Sequence, residues 1–377
     1  MAGLALPAVI LGACLLAPAA AALPAEEFPM QGSPADSALA RGINDFGFEV
    51  LRRLAEKDSS GNILISPLGL SMAFTAVSDT AEGATNPGLR GITGLEGLDA
   101  RSLVRYQGEA MAGLADSGSP WGMYCRFAQA LWDREEGAPL KDSIDAWVRK
   151  NMANRIQSLW SSREAPQAPP LAASAFFLQG FWQEKFGEAE NVEFVGADGR
   201  PLPRPAMSLK AVLPTSRADS VRTLEILFWK GRYGMVILLP DPGFPIRRVV
   251  SSMTADIWDA WLGAQRVYPR DATLPHFDLE DRQSFDSATG QAPAGGAGRI
   301  ARPIRHAARI RLDATRNKEF SRMQKIRGRR LIHYELRQSD PDAQFRVDRP
   351  FVFAIRDRRT GVLVLLGRVT DPAPEDQ

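Results

Sequence analysis

Cysteine and histidine are scarce, two and three in 377 residues, and that scarcity excludes several kinds of protein. Cys14 lies in the N-terminal apolar run, so removal of that run leaves Cys125 alone and no intramolecular disulfide can form; stability must then come from packing. Cys125 sits in a strand-like run and is expected to be a small buried hydrophobe. His276, His306 and His333 are too few and too scattered for a triad or a metal centre, and each is expected to be structural or exposed. There is no Gly-x-Ser-x-Gly elbow, no His-Glu-x-x-His and no phosphate-cradling glycine loop. No catalytic residue, metal or cofactor is expected, and the chain does not read as an enzyme. No Asn-x-Ser/Thr acceptor occurs either, so N-glycosylation is not expected.

Only one apolar run is long enough to matter for targeting. Leu4 to Leu16, followed by Ala-Pro-Ala-Ala-Ala-Ala, reads as a secretory signal spanning residues 1–22 and cut near Ala20 or Ala22. Leu11-Gly12-Ala13-Cys14 also fits a bacterial lipoprotein box, which would anchor the protein through a lipid on Cys14; a buried N-terminal helix is the third reading. No later run reaches the ~18 apolar residues of a membrane span. The protein is therefore expected to be secreted and extracellular.

What is present is ordinary globular composition, 45% hydrophobic and 24% charged, with an uneven charge distribution. The window Arg299 to Arg337 holds 13 Lys and Arg against Asp313, Glu319 and Glu335, about +10 in a chain of net charge +2. Either a polyanion or acidic protein surface binds there, or it is a solvated charged face. Nucleic acid is not expected as a partner.

Along the chain, Ser37 to Lys57 carries Leu39, Ile43, Phe46, Phe48, Val50, Leu51 and Leu54 at helical spacing, with Asp36 or Ser37 as the expected cap. Asn62-Ile63-Leu64-Ile65 reads as a short buried strand. Ser66-Pro67 then supplies an N-cap and first-turn proline for a helix to about Val77. Trp147, Trp182, Trp258 and Trp261 are expected in cores. At the end of the chain, Phe351 to Ile355 and Val362 to Leu366 read as two buried strands around a charged turn.

Several of these stretches resemble one family. Asn62-Ile-Leu-Ile-Ser66-Pro67-Leu-Gly-Leu-Ser71, with Gly83-Ala84-Thr85 after it, is similar to the start and sequel of the second helix of the serpins, mostly serine protease inhibitors. Arg126 to Trp132 resembles a strand of their central sheet, and Ser143 to Val148 with Arg155-Ile156 the helix lying across it. Ala175 to Trp182 with Lys185-Phe186 resembles the strand ending in the tryptophan at the mouth of that sheet. Leu224-Glu225-Ile226, Lys230-Gly231 and Met235 to Pro240 look like a hairpin of the second sheet, and Leu274-Pro275-His276-Phe277 like a further strand. Phe345, Arg349 to Arg356, and Thr360 to Val369 with Asp371-Pro372 resemble the family's ending most closely. These pieces keep the family order over 37–372.

The resemblance implies an α+β fold: a single domain over 37–372 with three β-sheets surrounded by about eight or nine helices, an exposed reactive-centre loop at 316–344, and a short tail at 373–377. Two segments are abbreviated. Between Trp132 and Ser143 there is no room for the family's usual helix and edge strand, and Asp278 to Arg299 runs into the glycine-rich stretch 291–298, read as flexible.

In the serpins a protease cuts the presented loop, which then inserts as a strand into the central sheet. Aligning His306 to Asp313 with the strand that feeds the loop places Arg316 at the family's hinge glycine, and the usual spacing puts the scissile bond at Arg330-Leu331. Arg327-Gly328-Arg329-Arg330 then precedes the cut, a pattern suited to furin-like or trypsin-like proteases with acidic clefts. The hinge, Arg316, Asn317, Lys318, Glu319, Phe320, Ser321, Arg322 and Met323, is charged where inhibitory serpins have small residues. In either strand phase it buries at least one charge. The implied function is that of a monomeric inhibitor of Arg-specific serine proteases, with a heparin-like polyanion as a further partner. The alternative is a non-inhibitory serpin acting as a binding or chaperone-type protein through the basic loop. Trp182 marks the expected sheet-opening region.

Overall fold

The computed structural model describes residues 23–24, 34–78, 104–110, 114, 123–132, 141–160, 171–228, 231–285, 303–312, 314 and 342–372. In chain order these form β1 (Leu23–Pro24), α1 (Pro34–Lys57), β2 (Ile63–Ile65), α2 (Pro67–Ser78), β3 (Tyr124–Trp132), α3 (Lys141–Asn151), β4 (Leu171–Gln179), β5 (Gly187–Val195), β6 (Pro201–Ala218), β7 (Val221–Leu227) and β8 (Tyr233–Pro240). There follow α4 (Ile246–Ser252), α5 (Ala255–Gly263), β9 (Arg266–Pro275), β10 (Phe277–Phe285), β11 (Ile304–Leu312), β12 (Gln344–Arg346), β13 (Phe351–Asp357) and β14 (Leu363–Val369). A further helical stretch occupies 104–110. No helix among the described residues is long and apolar enough to cross a membrane.

The strands make two hydrogen-bonded sheets. A four-stranded sheet runs β10-β11-β4-β3, and a ten-stranded one runs β1-β9-β6-β7-β8-β13-β14-β2 with β5 and β12 attached to β6 and β9. The larger sheet is continuous because the 18 residues of β6 pair with β5 and β9 along most of their length and with β7 only at Thr215 to Ala218. Two of the three expected sheets are thus joined through one long strand. The tight β6–β7 connection, Asp219-Ser220, holds both residues at positive φ (52° and 62°), the twist that two-residue hairpins require.

Alternation of side chains across strands explains the layering. Even-numbered residues of β4 and β11, including Phe176, Leu178, Ala308 and Ile310, face a core shared with Ile237, Leu239, Phe353 and Ile355 of the large sheet. The opposite face of the large sheet, Val236, Leu238, Val352 and Ala354, packs on α1, α4 and α5 through Phe48, Val249 and Trp258. Odd-numbered Ala173, Ala175, Phe177 and Ala307 lie under α3 and the turns after it, against Ile144, Val148, Ile156 and Trp160. β8, β13 and β14 are covered on both faces, which is why they read as continuous apolar runs.

Most expected elements appear. α1 starts at Pro34, before the Asp36 or Ser37 cap, because proline is accommodated in a first turn. Ser66 caps α2, its Oγ accepting from the Gly69 N–H at 3.1 Å. Leu274 to Phe277 is not one strand: β9 ends at Pro275, His276 donates its N–H to the Pro205 carbonyl, and β10 opens the other sheet at Phe277. Trp258 and Trp261 are buried, whereas Trp147 is partly buried and packs edge-on to Trp132 at 5.2 Å. Cys125 is half-buried against the main core, and burial pushes its thiol up to about 12, so it stays protonated. The stretches 79–103 and 291–298 lie outside the described residues.

The large sheet buries a charged cluster around Glu225. Glu225 on β7, 1% exposed, accepts two hydrogen bonds from the Arg356 guanidinium, both 2.9 Å, and lies 3.4 Å from Arg358. Removing the carboxylate leaves two largely buried cations unneutralised. Glu225→Ala is expected to cost about 3–5 kcal/mol in urea unfolding; a loss below about 1 kcal/mol, the scale of an exposed pair, would show that the cluster is solvated.

Candidate functional site at the parallel seam

β4 and β11 lie side by side and parallel, in register from Ala172 opposite Ile304 to Gln179 opposite Arg311, eight pairs in all. Parallel pairing is somewhat weaker per residue than antiparallel pairing. The other two ladders of this sheet, β10 to β11 and β3 to β4, are antiparallel, so the seam is its weakest line. Small residues line it: Ala172, Ala173, Ser174 and Ala175 face Ile304, Arg305, His306 and Ala307.

His306 is fully buried on the inner face of the seam. The Ser66 N–H donates to its Nε2 at 3.0 Å, so that nitrogen must be unprotonated. Ser66 Oγ in turn donates to the Val364 carbonyl at 2.7 Å, which ties β11, the start of α2 and β14 together. Burial drives the imidazole down to about 3, partly offset by the backbone of Ser174.

At the other end β4 stops at Gln179, three residues before Trp182. The indole stacks on Phe228 with centroids 4.7 Å apart and tilts against Phe186 at 5.1 Å. Trp182 is 5% exposed and bridges to Phe228, while the Gln183 N–H donates to the Leu227 carbonyl. Gly180 has no alternative here, because a Cβ would stand 2.2 Å from the Phe228 ring. Trp182 therefore sits at the mouth of the seam, where β11 leaves the sheet at Leu312 opposite Phe277.

The chain returns nearby. Gln344 opens β12 opposite Asp271, and the Asp271 N–H donates to the Ala343 carbonyl. Arg222 holds this foot: it lies 3.1 Å from Asp342, donates to the Gln344 carbonyl at 2.7 Å and stacks over Phe345 at 4.9 Å. Arg217 approaches Asp342 from the other side at 3.4 Å. Phe277 and Asp271 are six residues apart in sequence, so the two feet of segment 313–343, each one strand spacing farther out, stand at most about 30 Å apart. The bait residues Arg327, Arg329, Arg330 and Leu331 and the hinge Arg316 to Met323 lie outside the described residues.

Of the residues picked out in the sequence, Trp182 follows the end of β4 beside which β11 ends. Arg217, Arg222 and Asp342, which hold the returning chain, carried no signal in sequence because their partners are over 100 residues away. His306 is structural as expected, and its coupling to Ser66 follows from topology alone.

A family model described as serpin (serine protease inhibitor) matches residues 41–136, 123–289 and 303–372. The chain belongs to the serpin family. Among its relatives, Serpin-Z1C of Triticum aestivum is 23% identical over 376 residues, covering 84% of this chain and 91% of that protein. Serpin B8 of Homo sapiens is 23% identical over 375 residues, covering 87% and 97%. The crystal structure of native protease nexin-1 with heparin superposes with a TM-score of 0.69 at 17% identity over 90% of this chain and 100% of that one, a likeness of fold. In this serpin the central sheet is the four-stranded one, and its seam is closed.

The buried imidazole makes the seam sensitive to acid. Its folded value, about 3, lies below the ordinary 6.5, so the unfolded chain takes up a proton at a pH where the fold does not. Its contribution is complete above about pH 6.5 and is lost as pH falls toward 3, by up to about 1.4 kcal/mol per unit. His306→Gln, which keeps an acceptor for the Ser66 N–H, is expected to flatten the fall in unfolding free energy between pH 6 and 4. Parallel pH profiles for the two proteins would show that His306 does not govern the window.

Proposed function

We propose that this serpin is a secreted, monomeric inhibitor of serine proteases that cut after arginine, with Arg330-Leu331 as the scissile bond and Arg327 and Arg329 as added recognition. The observation that supports it best is the closed parallel seam, whose β11 runs directly into the segment carrying Arg-x-Arg-Arg. A chain that leaves β11 and folds back into the seam is antiparallel to both β11 and β4. Insertion thus replaces one parallel ladder of eight pairs with two antiparallel ones. The protease serine attacks the Arg330 carbonyl, the Arg330-Leu331 bond breaks with Leu331 as the leaving amine, and the enzyme stays acylated on Arg330 while residues before the cut insert and carry it away. The signal spans 1–22 and is cut near Ala20 or Ala22, ahead of Leu23, which pairs with Val267 in β1; lipid attachment at Cys14 is the alternative for a bacterial source.

The covered seam sharpens the hinge question. One phase turns Asn317, Glu319, Ser321 and Met323 toward the main core and puts Lys318 and Arg322 on the outer face, Lys318 near the mouth where Arg311 is exposed. It sends one charge into the main core; the other phase sends two. The inhibitor reading takes the first phase, with Glu319 protonated or paired on insertion.

The charged hinge also favours a second reading, a non-inhibitory serpin that binds a polyanion or protein surface through its basic loop. Protease nexin-1, the structural neighbour, was crystallised with heparin.

Incubation with trypsin or a furin-like protease is expected to give an SDS-resistant complex through Arg330, absent in Arg330→Ala. Cleaved protein alone would refute inhibition. Cleavage is also expected to raise the melting temperature by roughly 10 °C or more, on a scale of about 2 °C per kcal/mol for a domain of this size. For the second reading, heparin retention should fall when Arg327, Arg329 and Arg330 become Ala, and unchanged retention excludes this patch.

A further inference from the structure

Outside the seam, a basin of about 1030 Å³ opens between the end of α1, the β5–β6 turn, the loop from Pro240 to Pro245, and α4. Its volume is at the upper end of small-molecule sites. Apolar groups form its walls: Val195, 40% exposed, stands on one side, and Pro242 and Phe244 stand in a proline-rich loop on the other.

Its charges are arranged unequally. The acidic members Asp241 and Asp348 are already paired, with Arg217 at 2.9 Å and Arg349 at 2.6 Å. Glu56 and Glu193 are exposed at the rim, where water screens them. On α4, Arg247 and Arg248 meet no carboxylate among the described residues, and Arg248 lies over the Phe244 ring at 5.9 Å. Arg368 is 1% exposed yet has no carboxylate within salt-bridge distance among the described residues. Its Nη2 donates to the carbonyls of Asp58 and Gly61, and its Nε has no partner. Asp58 and Asp281 feel its charge only from farther off. A buried guanidinium without a contacting counter-ion leaves a positive field in the basin that it lines.

We propose that this basin binds a small amphipathic organic anion, an apolar body bearing one carboxylate or sulfonate. The apolar part lies on Val195, Pro242 and Phe244, and the charge faces Arg248 and the field of Arg368. This site is independent of the protease bait. Because the Val195 N–H donates to the Asp348 carbonyl at 2.8 Å, an occupant touching both sides clamps the β5–β6 hairpin to the start of β13.

The test uses the intact protein with 8-anilinonaphthalene-1-sulfonate as the fluorescent probe and dodecanoate as competitor. Saturable binding with Kd below about 100 µM is expected, displaced by dodecanoate but at least tenfold less well by dodecanol, with slower amide exchange over 193–198. Arg248→Ala should weaken dodecanoate at least fivefold. Ala197→Trp, at an exposed turn position, should abolish binding without lowering the melting temperature. No saturable binding, equal displacement by the alcohol, or full affinity in both variants would each overturn the proposal. Should Ala197→Trp fail to fold, the Arg248→Ala result and the acid-against-alcohol comparison decide alone.

Discussion

The parallel pairing of β4 with β11 is the constraint on which the rest of this structure depends. Parallel neighbours need a long crossover, and here it runs from Gln179 to Ile304 and contains β5 to β9 of the ten-stranded sheet, with α4, α5 and β10. The seam can therefore close only after the remainder of the fold has brought its two strands together. Every eventual hydrogen bond across it joins residues more than 100 positions apart, which makes it entropically late to form. The antiparallel ladders on either side are stronger per residue. The weakest line of the sheet thus coincides with its most non-local one, and the segment at issue for function begins where that line ends.

Cover on both faces decides what the seam tolerates. The inner face meets the main core through Phe176 and Ala308, and the outer face meets Ile156 and Trp160 beyond α3. Two polar groups of the seam have direct partners: His306 accepts from Ser66, and Arg309 on the outer face pairs bidentately with Asp278, both bonds 2.8 Å. A strand placed between β4 and β11 inherits these surroundings. Small, uncharged side chains fit them; a charge fits only near the mouth, where Arg311 reaches solvent.

Much of this fold was legible because its central strands are apolar on both faces and its caps are local. Phe351 to Ile355 and Val362 to Leu366 announce a buried hairpin by composition, and Ser66-Pro67 announces a helix start by chemistry acting over three residues. The family resemblance, carried by such stretches in order, supplied the sheet architecture that periodicity cannot. What stayed hidden was set by distance in sequence. That β6 would join two sheets depends on pairing with three other strands, and that Arg222 would hold the foot at Asp342 to Phe345 depends on a contact across 120 residues. The break at His276 was missed because Pro275 ends one ladder just where the chain passes to the other sheet. Nothing within four residues reveals that.

Chain length also bears on the segment between the feet. From Leu312 to Gln344 there are 31 intervening residues, about 100 Å when extended, while the seam is about 26 Å long at eight pairs. A descent along the whole seam and a return to the foot held by Arg222 needs roughly 16 residues for the seam and up to about 9 more to reach the foot, within that length. Tethering at both ends therefore does not by itself keep the segment out of the sheet, and the long C-terminal part, 331–343, makes the return easier. What opposes entry is energetic: breaking the closed ladder and desolvating the hinge charges. A small, neutral hinge on so long a segment would leave only the ladder to resist entry before any cut. On the inhibitor reading proposed above, the charged hinge and the long return belong to one balance, in which the residues that burden insertion after a cut also oppose entry before it.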